Sequence, residues 1–258
     1  MQDVLKGFMG ALSTLSVLPL WTDSIEGRTT VPWFPVVGLL LGVMVWAVAA
    51  GADYVTGGGM TLLTGLAVVV AGLVVTGGLH IDGLSDTFDG FFGGSTKERR
   101  LAIMKDSAIG TFGLVAVFTV LAAKLISVGY LAEAGALWQV VPAYIVSRTA
   151  QALLAATLKY ARAEGGTGRA FVDGVTPVHG GIAFFVGTLL LYIVAGIGAV
   201  ALLVTGVGLT ALCALVAQKK IGGVTGDVLG ATSEIVEAAV LVAAAIFTTG
   251  LRAEGLLL

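Results

Sequence analysis

Asp82, Asp86 and Asp89 stand four and three residues apart in LHIDGLSDTFDG, residues 79–90. On a helix, at 100° per residue, that spacing gathers the three carboxylates within about 60° of arc. Carboxylates about 6 Å apart repel by roughly 3 kcal/mol per pair at an effective dielectric near 20, which raises a pKa or calls for a counter-ion. A hard divalent cation such as Mg²⁺ removes that repulsion, and Asp106, in MKDS, would add a further oxygen ligand. The competing reading is a solvated acidic turn.

Basic residues crowd the same stretch. Ser95, followed three residues later by Glu98, reads as a capping box that opens a short helix. Arg99 and Arg100 project from its first turns, and Lys105 and Ser107 flank Asp106. Cations beside carboxylates suit a substrate carrying phosphates, which Mg²⁺ and Arg would neutralise together. The plain alternative is an ordinary surface helix with a weak exposed ion pair between Lys105 and Asp106. In KYARAEGGTGRAFVDG, residues 159–174, the cations Lys159, Arg162 and Arg169 surround three glycines without forming a P-loop pattern. That segment is either an anion-approaching backbone or a flexible connector. Asp227 lies among Gly222, Gly223, Gly226 and Gly230 just before an apolar stretch. Unwound backbone is tolerated there mainly beside a protein or water cavity, so Asp227 is a candidate for metal or substrate. His80 borders the acidic cluster, either as a donor to phosphate or as a helix-end histidine, and His179 is taken as structural.

The elements that must hold these residues are apolar. Hydrophobic residues make up 57% and charged residues 12% of 258 positions, at a mean hydropathy of +1.00, which places the chain with integral membrane proteins. The expected fold is all-α, a polytopic helical bundle. Stretches of about 20 apolar residues cross a bilayer, and they predict seven crossings. These are Val31 to Ala52, Gly57 to Leu79, Phe112 to Leu131, Ala136 to Leu158, two within the uncharged run Gly174 to Gln218 that turn near Gly196 to Val200, and Ser233 to Leu251. The first twenty residues predict an interfacial or re-entrant helix, with no removable signal. Glu234 and Glu237 then open the last helix, where they favour its dipole. Lys124 and Arg148 fall inside spans, where a cation costs roughly 2.5–3.5 kcal/mol on insertion scales. Lys124 therefore snorkels or faces the interior, and Arg148 is the stronger candidate for substrate phosphate, because its fork holds two oxygens.

With the amino terminus inside, every remaining cation except Arg252 falls on the cytoplasmic side, as do Asp82, Asp86, Asp89, Asp106 and Asp227. The expected location is the cytoplasmic membrane, with the site facing the cytoplasm. No linker or repeat divides residues 1–258, so a single domain is expected. A net charge of −2 argues against a nucleic-acid partner. The lone Cys213, in an apolar stretch, argues for packing rather than a disulfide or a thiolate metal site.

At GGLHIDGLSDTFDG, RRLAIMKDSAIGTFG, FPVVG and IGGVTGDVLGA the chain resembles the cobalamin-5′-phosphate synthase family, the adenosylcobinamide-GDP ribazoletransferases, over nearly its whole length. The resemblance implies a membrane enzyme that joins adenosylcobinamide-GDP to α-ribazole or its 5′-phosphate and releases GMP. It assigns Asp82, Asp86, Asp89, Asp106 and Asp227 to Mg²⁺, with Asp89 as general base and Asp106 as its competitor. His80, Arg99, Arg100, Lys105, Ser107, Arg148 and Asp227 would contact substrate. Implied partners are corrinoid and nucleoside small molecules and the lipid bilayer; other cobalamin-assembly enzymes and a homo-oligomer are also compatible with it. A CDP-alcohol phosphotransferase of phospholipid synthesis and a cation-coupled transporter are the alternatives. The first lacks its Asp-Gly-x-x-Ala-Arg signature here, and the second would hold its acids at the midplane rather than at one face.

Overall fold

A computed structural model of the chain describes residues 2–18 and 26–253. It is helical throughout, and the β-pairing among the described residues is one isolated bridge between Tyr160 and Val224. In chain order the helices are α1 (Gln2–Leu15), α2 (Gly27–Thr30), α3 (Phe34–Val55), α4 (Thr61–Thr76), α5 (Leu79–Gly93), α6 (Lys97–Ile103), α7 (Thr111–Glu133), α8 (Val140–Thr157), α9 (Pro177–Ala195), α10 (Ala199–Ile221) and α11 (Gly226–Ala253).

The centre of the bundle is α8, buried along almost its whole length against α3, α9, α10 and α11. Small residues let its neighbours come close, as expected where helices cannot gain hydrophobic energy from leaving lipid. A Cβ on Gly38 of α3 would stand 2.6 Å from the Tyr144 carbonyl oxygen of α8. Gly187 of α9 lies against Thr149, and Gly206 of α10 lies against Val146. Large apolar side chains point the other way: Phe118 on α7, Phe185 on α9 and Leu215 on α10 are all exposed. That inverted pattern is a lipid-facing belt, and the chain is a helical membrane protein.

By length and apolarity four segments among the described residues qualify as spans: Gly27–Val55, Thr111–Glu133, Pro177–Ile221 and Gly226–Thr248, with the bent α4–α5 pair as a fifth. The expected count of seven is therefore not established by this criterion. The run from Pro177 to Ile221 does contain two helices, α9 and α10, parted at Gly196–Gly198 as expected. The expected crossing from Ala136 to Leu158 does not qualify. Its helix, α8, carries Ser147, Arg148, Thr149 and Gln151 and is wrapped by protein, so it has little need of a lipid-compatible surface. The expected span from Gly57 to Leu79 also changes shape. Gly77 and Gly78 are both left-handed, at φ +61° and +72°, and there the axis bends by 92° from α4 into α5. A side chain at either position would be strained. The apolar part ends at Thr76, and the acidic helix α5 lies outside it.

The two mid-span cations are neutralised inside the bundle. Lys124 Nζ lies 2.7 Å from Glu234 and 2.7 Å from Glu237, and Arg148 Nη1 lies 2.6 Å from the other oxygen of Glu237. Arg148 also donates to Ser147 and Ser233 and stacks over the Tyr144 ring at 4.8 Å. One correction follows. Because α11 begins at Gly226, Glu234 and Glu237 stand in its third turn and serve as counter-ions, not as dipole partners. Lys124 faces the interior, one of its two expected fates, since both acids are within reach where it stands.

Candidate functional site

Helix α5 packs antiparallel to the starts of α7 and α11, and this sets the fate of each of its acids. Asp89 is buried, and its two oxygens accept the N–H groups of Gly110 and Gly113 at 2.7 and 2.9 Å. Gly110 is the residue before α7 and has no capping side chain of its own, so Asp89 satisfies the otherwise unpaired amides of that helix start. Its carboxylate belongs to the scaffold, and the expected roles as base and ligand are not supported by its surroundings. Asp82, about two turns earlier, is exposed, and Asp86, between them, is half-buried. Burial pushes the Asp86 carboxyl up to about 7, helped by the charges of Asp82, Asp227 and Asp89 and opposed by Arg162.

Two cavities flank α5. An open cleft of about 770 Å³ is lined by Asp82, Asp86, Lys105, Asp106, Ser107 and the glycine pair at 77–78. A smaller, partly open pocket of about 280 Å³ lies on the other side, against Phe34, His80, Gln151, Phe171, Asp227 and Leu229. Leu79 and Asp82 line both. Asp82 therefore stands where the two cavities meet.

The loops at this end are zipped together rather than free. Ala161 N–H donates to the Val224 carbonyl at 2.9 Å, and Val224 N–H donates to that of Lys159 at 2.8 Å. Gly223 and Gly168 serve this close backbone approach, with a Cβ on Gly168 falling 2.6 Å from the Gly226 nitrogen. The zipper presents Arg162 to Asp227 at 2.8 Å, and Arg162 also reaches the Met104 carbonyl. Sequence reasoning placed Arg162 only among loop cations; nothing in linear spacing marks a pairing across 65 residues. Gln151, likewise, carried no sequence signal and lines the smaller pocket.

The remaining predicted residues divide. Lys105 borders the cleft and pairs with exposed Glu164 at 2.7 Å, while Asp106 accepts the Ala108 N–H at 3.1 Å. Arg99 is exposed on α6 and lines neither cavity. Arg100 is directed away, donating to the Lys220 carbonyl at 2.9 Å and tying α6 to the end of α10. Arg148 is fully buried with Glu237, so the expected phosphate contact is replaced by an internal ion pair that its burial requires. The short helix is capped one residue later than expected, by Thr96, which accepts the Arg99 N–H at 3.2 Å. His179 closes a capping box with Thr176 at the start of α9, a structural role as expected.

Among the described residues no group of three His, Cys, Asp or Glu side chains stands close enough to hold a metal ion. The donor chemistry nevertheless fits a hard cation, since Asp82, Asp86 and Asp106 supply only oxygens to a single cleft. Asp89 and Asp227 are occupied by backbone amides and by Arg162.

The family described as Cobalamin-5-phosphate synthase matches residues 7–245. Proteins named adenosylcobinamide-GDP ribazoletransferase are similar over most of the chain. That of Chlorobaculum parvum is 42% identical over 253 residues, covering 96% of this chain and 98% of the relative. That of Chlorobaculum tepidum is 41% identical over 252 residues, with the same coverage. That of Syntrophobacter fumaroxidans is 37% identical over 213 residues, covering 83% and 85%. No solved structure matches the chain. A match over nearly the whole length, with the quoted motifs lining the two cavities around Asp82, places the chain in the cobalamin-5-phosphate synthase family.

Proposed function

We propose that this protein joins adenosylcobinamide-GDP to α-ribazole, or to its 5′-phosphate, with release of GMP. The observation that carries the reading is the meeting of a larger polar cleft and a smaller, mostly apolar pocket at one carboxylate, Asp82, in a chain of this family. A transfer between two bound molecules needs two seats and one shared reaction point.

In the proposed reaction a hydroxyl oxygen of the ribazole ribose attacks the phosphorus attached to cobinamide. The bond from that phosphorus to the GMP oxygen breaks, and GMP leaves. Asp82, at the shared wall, takes the hydroxyl proton. Lys105 and Ser107 line the cleft where the diphosphate would lie, and hold its oxygens. Mg²⁺ held by Asp86 and Asp106 would neutralise the diphosphate and the charge that develops on the departing oxygen. Asp89 keeps α5 against α7, and Arg162 keeps Asp227 turned toward the loop zipper.

Residues 1–258 act as one catalytic domain in the cytoplasmic membrane, with the amino terminus and the acidic end in the cytoplasm. The positive-inside distribution supports that orientation. Family membership favours neither phospholipid synthesis nor transport. Lys124 and Arg148, the residues a transporter relay would use, are neutralised by Glu234 and Glu237.

The test is incubation of purified protein with adenosylcobinamide-GDP and α-ribazole, with and without Mg²⁺, measuring GMP and the corrinoid product. Equal amounts of both are expected, only with Mg²⁺, and Asp82→Asn should lower their rate by at least about 100-fold. GMP release without acceptor, or none at all, would reject the reading.

A further inference from the structure

We infer that the smaller pocket between α1, α3, α5, α8 and α11 seats the acceptor nucleoside, its flat heterocycle against Phe34 and Phe171 and its sugar toward Asp82. The inference rests on the reading above that a nucleoside hydroxyl is the acceptor.

Three observations point there. The first is the wall: Leu15, Leu229 and two phenyl rings, 6.2 Å apart and inclined by 51°, form an apolar surface with an aromatic face. At about 280 Å³ the pocket is small for a ligand site, whose usual range begins near 300 Å³, and suits a base and part of a sugar rather than a corrin ring.

The second is the polar content. His80 and Gln151 are 3% and 2% exposed, and both line the pocket. His80 Nδ1 and Gln151 Oε1 have no hydrogen-bond partner, although the Gln151 amide nitrogen donates to the Leu229 carbonyl at 3.3 Å. Buried polar atoms are almost always paired, so two unpaired ones on side chains that line the same pocket mark where a ligand, with a small turn of each side chain, supplies the partners. The Gln151 side-chain oxygen asks for a donor, which a ribose hydroxyl provides. The His80 ring, carrying one N–H when neutral, donates to a single ring nitrogen. A dimethylated benzimidazole has one free ring nitrogen and an otherwise apolar edge. Guanine presents a row of donors and acceptors that these walls would leave unmatched.

The third is position. The pocket and the cleft share Leu79 and Asp82, so a base held at Phe34 and Phe171 directs its sugar to the point where the diphosphate donor arrives. Corrinoid and GDP are left to the larger cleft.

Equilibrium dialysis of purified protein with α-ribazole alone measures occupancy apart from turnover, and KM for each substrate measures which seat a variant disturbs. Gln151→Leu removes the unpaired oxygen. Thr14→Trp fills the pocket from α1, where the Thr14 hydroxyl bonds only its own helix, to the Gly10 carbonyl. Each should weaken α-ribazole binding and raise its KM by about tenfold or more, with the KM for adenosylcobinamide-GDP moving by less than about twofold. Unchanged α-ribazole binding in Thr14→Trp, equal rises in both KM values, or a rise confined to the donor would overturn the assignment, as would wild-type protein that binds no α-ribazole. Should either variant fail to fold, Thr14→Cys in a Cys213→Ala background gives a second measure. Its maleimide labelling should be blocked by α-ribazole and not by GMP; the opposite pattern would also overturn the assignment. Wild-type protein that binds α-ribazole in this pocket yet releases no GMP would reject the proposed reaction and keep the pocket; turnover with both seats indifferent to Thr14→Trp would do the reverse.

Discussion

Asp82, Asp86 and Asp89 share one helix face and have three different surroundings, which is why spacing alone could collect them but not rank them. Asp89 is locked by two backbone amides, Asp82 is open to both cavities, and Asp86 is held between water and protein. Burial first, then the charges of Asp82, Asp227 and Asp89, raise Asp86 to about 7 against the pull of Arg162. In metal-free protein an infrared pH titration should show a carboxyl with a midpoint near 7, absent in Asp86→Asn. Asp82→Asn removes one repelling charge and should lower that midpoint without returning it to 3.8, since burial remains the larger cause. A midpoint already near 3.8 in the wild type would mean that the α5 face is fully hydrated. The raised value also has a sign for stability: the folded chain keeps this proton more tightly than the unfolded one, so the group's contribution is full below about pH 4 and is lost as pH rises through about 7.

Among the elements, α11 carries the most constraint. Its first turn presents Asp227 to Arg162, and its third turn ties it to α7 through Lys124 and to α8 through Arg148. The cluster balances two cations with two carboxylates, and removing one member leaves a buried charge unmatched. Glu237→Gln should cost about 3–5 kcal/mol, seen as a lower Tm and poorer recovery in detergent. The double change Lys124→Met with Glu234→Leu keeps Arg148 paired with Glu237 and should be milder than Lys124→Met alone. Additive losses would show that the four groups do not act as one unit. Lys124 and Arg148 were legible in the sequence as interior cations, because an ion inside an apolar stretch is costly wherever it points. Their partners were not. Placing the helix start at Ser233 put Glu234 and Glu237 in a first turn, whereas the helix begins about two turns earlier, at Gly226. The same local limit moved the α6 cap from Ser95 to Thr96: adjacent hydroxyls are equivalent by type, and only backbone geometry chooses between them.

At the scale of the whole molecule, the bundle has two unlike ends. One gathers α5, α6, the zipped loops and both cavities; the other holds the Gly196–Gly198 turn and the contact of Thr61 with Glu133. In a Cys213→Ala background, Ser107→Cys should react with a membrane-impermeant maleimide only in inverted vesicles. Ile197→Cys, at an 85% exposed position, should react in intact cells. The reverse pattern would place the proposed site outside the cytoplasm. Composition and patterning by themselves determined that the chain is a helical membrane protein, that the aspartates of α5 and most of its cations belong to polar stretches between apolar ones, and which family its motifs resemble. These properties depend on residue type and on neighbours within a few positions, where transfer energies and helical periodicity act. Tertiary structure alone decided which aspartate is scaffold and which lines the cavities, that Arg148 answers Glu237 rather than a phosphate, and that His80 and Gln151 face one pocket. Each of those depends on which distant segments meet across the bundle, and a buried polar group takes its role from the partner packing brings to it.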